Sequence, residues 1–130
     1  MELHIDARRS ATRTVIAPRG EIDMANEPFF NEVLDTFLRD GPVDALVDLT
    51  EVSFMDSTGL RALLRARELS VGRGGSFALV CPPGRVWRLL DLAGVLELFT
   101  IHAVAPEDTE PGEDGLDASA ILGEPPLEPA

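Results

Sequence analysis

The stretch Val52-Ser53-Phe54-Met55-Asp56-Ser57-Thr58-Gly59-Leu60 decides how this chain reads. Before it runs Ala45-Leu46-Val47-Asp48-Leu49, a short and nearly continuous apolar segment that suits a central strand covered on at least one face. After it comes a helical pattern over about residues 58–71, so the stretch is a strand-to-helix junction. Asp, Ser and Thr side chains accept hydrogen bonds from the free N–H groups of a helix's first turn. One such residue suffices as a cap. Three together, with a glycine behind them, point to a chemical role as well.

Working outward, the helix after the junction is three-sided. Leu60, Leu63, Leu64 and Val71 share one face. Arg61, Arg65 and Glu68 form a charged stripe, and Ala62, Ala66 and Leu69 a smoother third side. Gly72, Gly74 and Gly75 end it. Ser76 to Cys81 reads as a buried strand, and Pro82-Pro83-Gly84 turns into a third helix with Val86, Leu89, Leu90 and Ala93 on one face. Gly94 ends that helix, and Phe99, Ile101 and Ala103 alternate as a last strand.

On the other side of the junction, Leu3, Ile5 and Ala7 alternate with polar residues as an edge strand, and Ser10-Ala11 turns it into a second strand, Thr12 to Ala17. Pro18 marks an edge position or a bulge. Gly20-Glu21-Ile22-Asp23 is a short extended piece. A first helix starts at Asn26 as N-cap, with Glu27 and Pro28 in its first turn. Phe30, Val33, Leu34, Phe37 and Leu38 make one apolar face, and Gly41 then Pro42 stop it. The order β-β-α-β-α-β-α-β predicts a single α/β domain, a mixed sheet of about four to five strands with helices packed against it.

The chain has 130 residues, one Cys and a formal net charge of −12. Residues 106–130 hold eight of the 23 acids and no base. Residues 1–105 hold 15 acids against 11 arginines, a nearly balanced body. The division predicts a domain over 1–105 and an acidic, Pro-rich, disordered tail over 106–130. A nucleic-acid binder needs a dominant basic patch, which is absent. No apolar run approaches the ~18 residues of a membrane span. No signal peptide is legible, because Glu2, His4 and Asp6 interrupt the start, so the cytoplasm is the default compartment. Cys81 sits in a buried-strand pattern and reads as a packed thiol.

The junction closely resembles the signature of bacterial anti-sigma factor antagonists, the STAS-domain family. The resemblance rests on Phe54-Met55-Asp56-Ser57-Thr58-Gly59-Leu60 after Val47-Asp48-Leu49. Gly20-Glu21-Ile22-Asp23, and Val86-Trp87-Arg88-Leu89-Leu90 with Ala93-Gly94-Val95, are similar to further pieces of the family pattern. Together they cover about residues 3–104.

The resemblance implies a STAS-like domain and a function in partner switching. Unphosphorylated at Ser57, the protein would bind an anti-sigma factor that is also a serine kinase, and so free a sigma factor. The kinase would phosphorylate Ser57, with Thr58 the lesser candidate, and a protein phosphatase would reverse it. The expected contact surface is Asp23, Asp56, Ser57, Thr58 and Gly59, with Arg61 and Arg65 added because residues 57, 61 and 65 rise along adjoining turns of one helix face. The alternative is a STAS scaffold or small-ligand-binding module in another bacterial signalling assembly.

Enzyme readings are weaker. Asp23 and Asp56 are not joined by a histidine, and no metal-ligand spacing occurs, so no catalytic residue, metal or cofactor is expected. Ser57 lacks the Gly-x-Ser-x-Gly context of a hydrolase nucleophile. The glycines at 72–75 follow a helix instead of opening one, so they form a turn and not a phosphate loop.

Overall fold

The apolar alternation of Leu3, Ile5 and Ala7 buries one side of strand β1 (Leu3–Arg9). At Ser10, whose N–H donates to the Arg13 carbonyl at 2.8 Å, the chain turns back antiparallel as β2 (Arg13–Ile22). There follow α1 (Glu27–Arg39), β3 (Asp44–Asp48), β4 (Val52–Met55), α2 (Ser57–Gly72), β5 (Phe77–Val80), α3 (Arg85–Leu92), a short 3-10 turn at Leu96–Leu98, β6 (Thr100–His102) and β7 (Gly115–Asp117). The computed structural model describes residues 2–40, 44–106 and 115–117. Among them the strands form one mixed sheet in the order β6-β5-β3-β2-β1-β7, with β4 also paired to β2. β1 is antiparallel to both of its neighbours, and the remaining pairs are parallel. The α/β order read from the sequence is present, and β4 and β7 are additions to it.

β2 is the strand that positions everything else. It runs unbroken through Pro18, where the sequence suggests an edge or a bulge. The N–H of Glu21 donates to the Glu2 carbonyl at 3.1 Å, which fixes the ladder's parity. Odd residues of β2 turn their backbone groups toward β1 and even residues away from it. On that far side β3 pairs with Arg13–Ile16 and β4 with Gly20–Ile22. Pro18 falls in the gap between them, so its missing N–H removes no ladder bond.

The register shifts between Gly20 and Glu21. Gly20 has φ +114°, and a Cβ on it would lie 2.3 Å from the Glu2 carbonyl oxygen. Only glycine fits there. The chain jogs after β3, with Val52 N–H donating to the Leu49 carbonyl at 3.0 Å, and resumes as β4 further along β2. This jog carries Asp56 to the end of β2, where its N–H meets the Ile22 carbonyl at 3.1 Å.

The main core lies between the sheet and the helices. α1 buries the expected face of Phe30, Val33, Leu34, Phe37 and Leu38, and Phe29 besides. α2 departs from expectation. Leu60 and Leu63 are buried, but Val71 is 45% exposed, and Ala62, Ala66 and Ser70 are buried instead. Small residues let a helix approach its neighbours closely, so they outrank a valine for the inward position. In α3, Val86 and Leu90 point inward, while Ala93 is exposed.

Cys81 is buried, and that burial pushes its thiol up to about 11, which keeps it protonated and inert. On the opposite face, Val15, Leu46 and Val80 form a second, smaller cluster.

One sequence reading is corrected, and two run beyond the described residues. Gly41 and Pro42, expected to stop α1, lie outside the described residues; the helix itself ends at Arg39. β1, expected at the sheet's edge, lies instead between β2 and β7. Of the region 106–130, which the composition assigns to a disordered tail, Pro106 and the strand β7 at Gly115–Asp117 are described, and the other residues lie outside the described ones.

Candidate functional site

Asp56 joins three segments of chain. It is the N-cap of α2 in an extended conformation, φ −105° and ψ −172°. One carboxylate oxygen accepts from the Thr58 N–H at 2.9 Å, the Thr58 hydroxyl at 2.5 Å and the Gly59 N–H at 3.4 Å. The other accepts from the Met24 N–H at 3.2 Å, across to the loop between β2 and α1. Partial burial alone would push the Asp56 pKa up. The Thr58 hydroxyl and the N–H groups of Thr58, Gly59 and Met24 outweigh it and hold the carboxyl below its ordinary value.

That facing loop is ordered by its own side chains. Asp23 accepts from the N–H groups of Ala25 at 3.0 Å and Asn26 at 3.2 Å, and the Asp23 carbonyl takes the Glu27 N–H at 2.8 Å. Asn26 stands at the N-cap position of α1 but does not cap it. Its side chain folds back, accepting from the Asp23 N–H at 2.9 Å and donating to the Glu21 carbonyl at 2.8 Å. The reason is competition. Asp23 already supplies acceptors to the helix entrance, and the end of β2 offers Asn26 a matched donor and acceptor.

The two hydroxyls after Asp56 differ. Thr58 is half-buried, and its hydroxyl is spent on Asp56. Ser57, the first residue of α2, is exposed, and its hydroxyl has no hydrogen-bond partner among the described residues. Gly59 is buried: a Cβ there would lie 2.6 Å from Met55 Cγ and 2.9 Å from Ile22 Cγ2. It lets the first turn of α2 press against β4 and the end of β2.

The charged stripe also divides. Arg61 is exposed and makes no hydrogen bond or ion pair among the described residues. Arg65 reaches α1 instead, with both terminal nitrogens 3.0 Å from the Asp35 carboxylate oxygens and one 3.3 Å from the Asn31 side-chain oxygen. Thus Asp23, Asp56, Ser57 and Thr58 gather at one end of the molecule, with Arg61 one turn further along α2.

Two participants escaped the sequence reading. Met24 is 73% exposed, the largest apolar surface beside the junction, and is tied to Asp56 through its backbone. Its only signal was a large apolar side chain in the short polar-flanked connection Asp23-Met24-Ala25-Asn26. Asp35 carries no signal at all, because its pairing with Arg65 depends on how two helices meet.

Residues 4–107 match the STAS domain family. The chain belongs to the STAS family. This STAS domain is 30% identical to the anti-sigma-B factor antagonist of Bacillus subtilis over 103 residues, 79% of this chain and 94% of that protein. It is 31% identical to the anti-sigma-B factor antagonist of Listeria monocytogenes over 108 residues, 82% and 95% of the two chains. The STAS fold also superimposes, with a TM-score of 0.71 and 27% identity, on a crystal structure from Thermotoga maritima described as a candidate anti-sigma factor antagonist, covering 80% of this chain and 90% of that one.

Among the described residues no helix is long and apolar enough to cross a membrane, and no group of three or more His, Cys, Asp or Glu side chains is placed to hold a metal ion.

Proposed function

We propose that this protein is an anti-sigma factor antagonist gated by phosphorylation of Ser57. Unphosphorylated, it binds an anti-sigma factor that is also a serine kinase and frees the sigma factor. The kinase then modifies Ser57 and ends the interaction, and a phosphatase restores it. The protein is a cytoplasmic binding module and not itself a catalyst. The observation that carries the reading is the contrast between adjacent hydroxyls: Ser57 is exposed and unengaged, whereas Thr58 is locked to Asp56. The names of the Bacillus and Listeria relatives support the partner class.

The physics of the switch is local. A phosphate adds about −1.5 to −2 charge and three acceptor oxygens. At Ser57 it would stand beside the Asp56 carboxylate, which is kept ionised by four donors. A helix N-terminus tolerates added negative charge, so the domain stays folded while its surface changes sign. The contact surface is Asp23, Asp56, Ser57, Thr58 and Arg61. Gly59 shapes it from beneath, and Arg65 belongs to its far margin.

The test uses the anti-sigma factor that copurifies with the wild-type chain from its host, returned to the protein with ATP. One phosphate should appear on Ser57 by mass spectrometry, and Ser57→Ala should abolish it. Ser57→Asp should weaken binding by calorimetry, whereas Ser57→Ala should keep it. Phosphate on Ser57→Ala but not on Thr58→Ala would move the acceptor one residue. Ser57→Asp binding as tightly as wild type would replace this reading with the scaffold alternative.

A further inference from the structure

The outer edge of β1 is covered by a strand that the family match does not include. The match ends at residue 107, and β7 spans Gly115–Asp117. β1 is seven residues long. Because Glu2 and Glu21 form a hydrogen-bonded pair, residues 2, 4, 6 and 8 face β2, and Leu3, Ile5, Ala7 and Arg9 turn their backbone groups outward. A strand edge of that length is a template for another chain, and natural proteins blunt or cover such edges.

The cover itself is slight. β7 pairs only three residues, Asp6 with Asp117, Ala7 with Leu116 and Arg8 with Gly115. That leaves Leu3, Ile5 and Arg9 of the outward edge without a strand partner on that side among the described residues.

β1 is a better partner for itself. Let a second copy lie antiparallel across the same edge, with Ala7 opposite Ala7 in the place of Leu116. Asp6 of each copy then stands opposite Arg8 of the other. The twofold axis gives this favourable charge pair twice, in an isologous interface of the kind most dimers use.

We propose that β7 is a built-in guard of the β1 edge, and that the occupant it holds off is a second copy of this chain, paired β1 to β1 about Ala7. The acidic C-terminal region would then set the oligomeric state, independently of any modification at Ser57.

The test is made in the full chain. Leu116→Pro removes the N–H that a hydrogen-bonded Leu116–Ala7 pair requires. Sedimentation velocity should show the unaltered chain at the mass of one copy, 14.0 kDa, and Leu116→Pro moving toward twice that mass as concentration rises. Adding Asp6→Arg to Leu116→Pro turns both cross-strand pairs repulsive and should weaken the dimer about tenfold or more. Adding Arg8→Asp to that variant restores opposite charges and should restore the dimer.

Asp117→Arg works in the other direction. It replaces an acid by a base at the register position of Asp6 and should slow hydrogen exchange at the Ala7 amide. The proposal is overturned if Leu116→Pro stays at the mass of one copy at every concentration, or if the unaltered chain dimerises equally well. A dimer indifferent to Asp6→Arg overturns it too. Should Leu116→Pro fail to fold, unchanged Ala7 exchange in Asp117→Arg overturns it.

Discussion

Helix α2 carries two polar clusters built in opposite ways. At its first turn, Asp56 gathers the donors of Thr58 and Gly59, two and three residues on, and adds the Met24 N–H. Two turns on, Arg65 grips Asp35 and Asn31 of α1 with an exposed guanidinium. The first cluster uses mostly backbone groups already fixed by the helix, so holding it costs little conformational entropy. The second must immobilise long side chains in water, where Coulomb attraction is weak. The lesson is that the functional end of α2 is rigid because of its own local sequence, while its middle is tied to α1 by contacts that can be lost cheaply.

The largest expected effect is at Gly59, on which the first cluster rests. A valine there drives side-chain atoms into Met55 and Ile22, and overpacking of this kind costs about 1–3 kcal/mol. Gly59→Ala should cost less than valine but still destabilise, because its Cβ already meets Met55 Cγ and the Ile22 Cγ2 branch. Urea unfolding measures both. A Gly59→Val protein as stable as wild type would mean that the first turn does not need this close approach.

Removing the cap comes next. Asp56→Ala should cost about 1–2 kcal/mol, the range for losing a side-chain N-cap. It should also speed hydrogen exchange at Met24, whose N–H loses its acceptor. Faster exchange at Met24 with unchanged stability would show that Asp56 orders the loop but does not support the helix.

The charge on Asp56 gives a pH signature. Its folded pKa lies below the ordinary value near 3.9, because hydrogen bonds to Thr58, Gly59 and Met24 outweigh the opposing effect of burial. A depressed carboxyl contributes stability that is fully present above its unfolded pKa and is lost as pH falls through the folded pKa. The stability gap between wild type and Asp56→Asn should therefore be constant near neutrality and close on the acid side, below about pH 3.9. A gap that persists unchanged into strong acid would mean that the carboxylate's charge contributes nothing.

How much of this was legible follows from the range of the interactions. That the Asp56-Ser57-Thr58 cluster caps α2 was legible, because the donors lie one to three residues away; that Asp56 is the cap, with Thr58 engaged and Ser57 not, came only with the backbone geometry of the first turn. The buried face of α1 was legible because large apolar residues repeat with the helical period. The buried Ala66 and exposed Val71 were not, because close packing against neighbours overrode side-chain size. Pro18 misled: a proline in a strand argues for an edge, and only the split of β3 and β4 along β2 shows why it is harmless here. β7 was invisible because three residues in an acidic, proline-rich background have no periodicity to detect.

The smallest effect is expected in the second cluster. Arg65→Ala removes a two-pronged contact with Asp35, yet Arg65 is more than half exposed and Asp35 also has Arg39 at 3.7 Å. Exposed pairs of this kind contribute about 0.2–1 kcal/mol and weaken as salt screens them. Arg39 can take over part of Asp35's charge, which pushes the loss toward the lower end. A double-mutant cycle with Asp35→Ala isolates the pair, and its coupling should shrink when salt is raised. Arg61→Ala, with no partner to lose among the described residues, should leave stability unchanged and serves as the control on the same helix. A salt-insensitive Arg65–Asp35 coupling larger than the loss from Asp56→Ala would reverse the comparison, making the α1–α2 clamp, and not the cap, the contact that holds α2 in place.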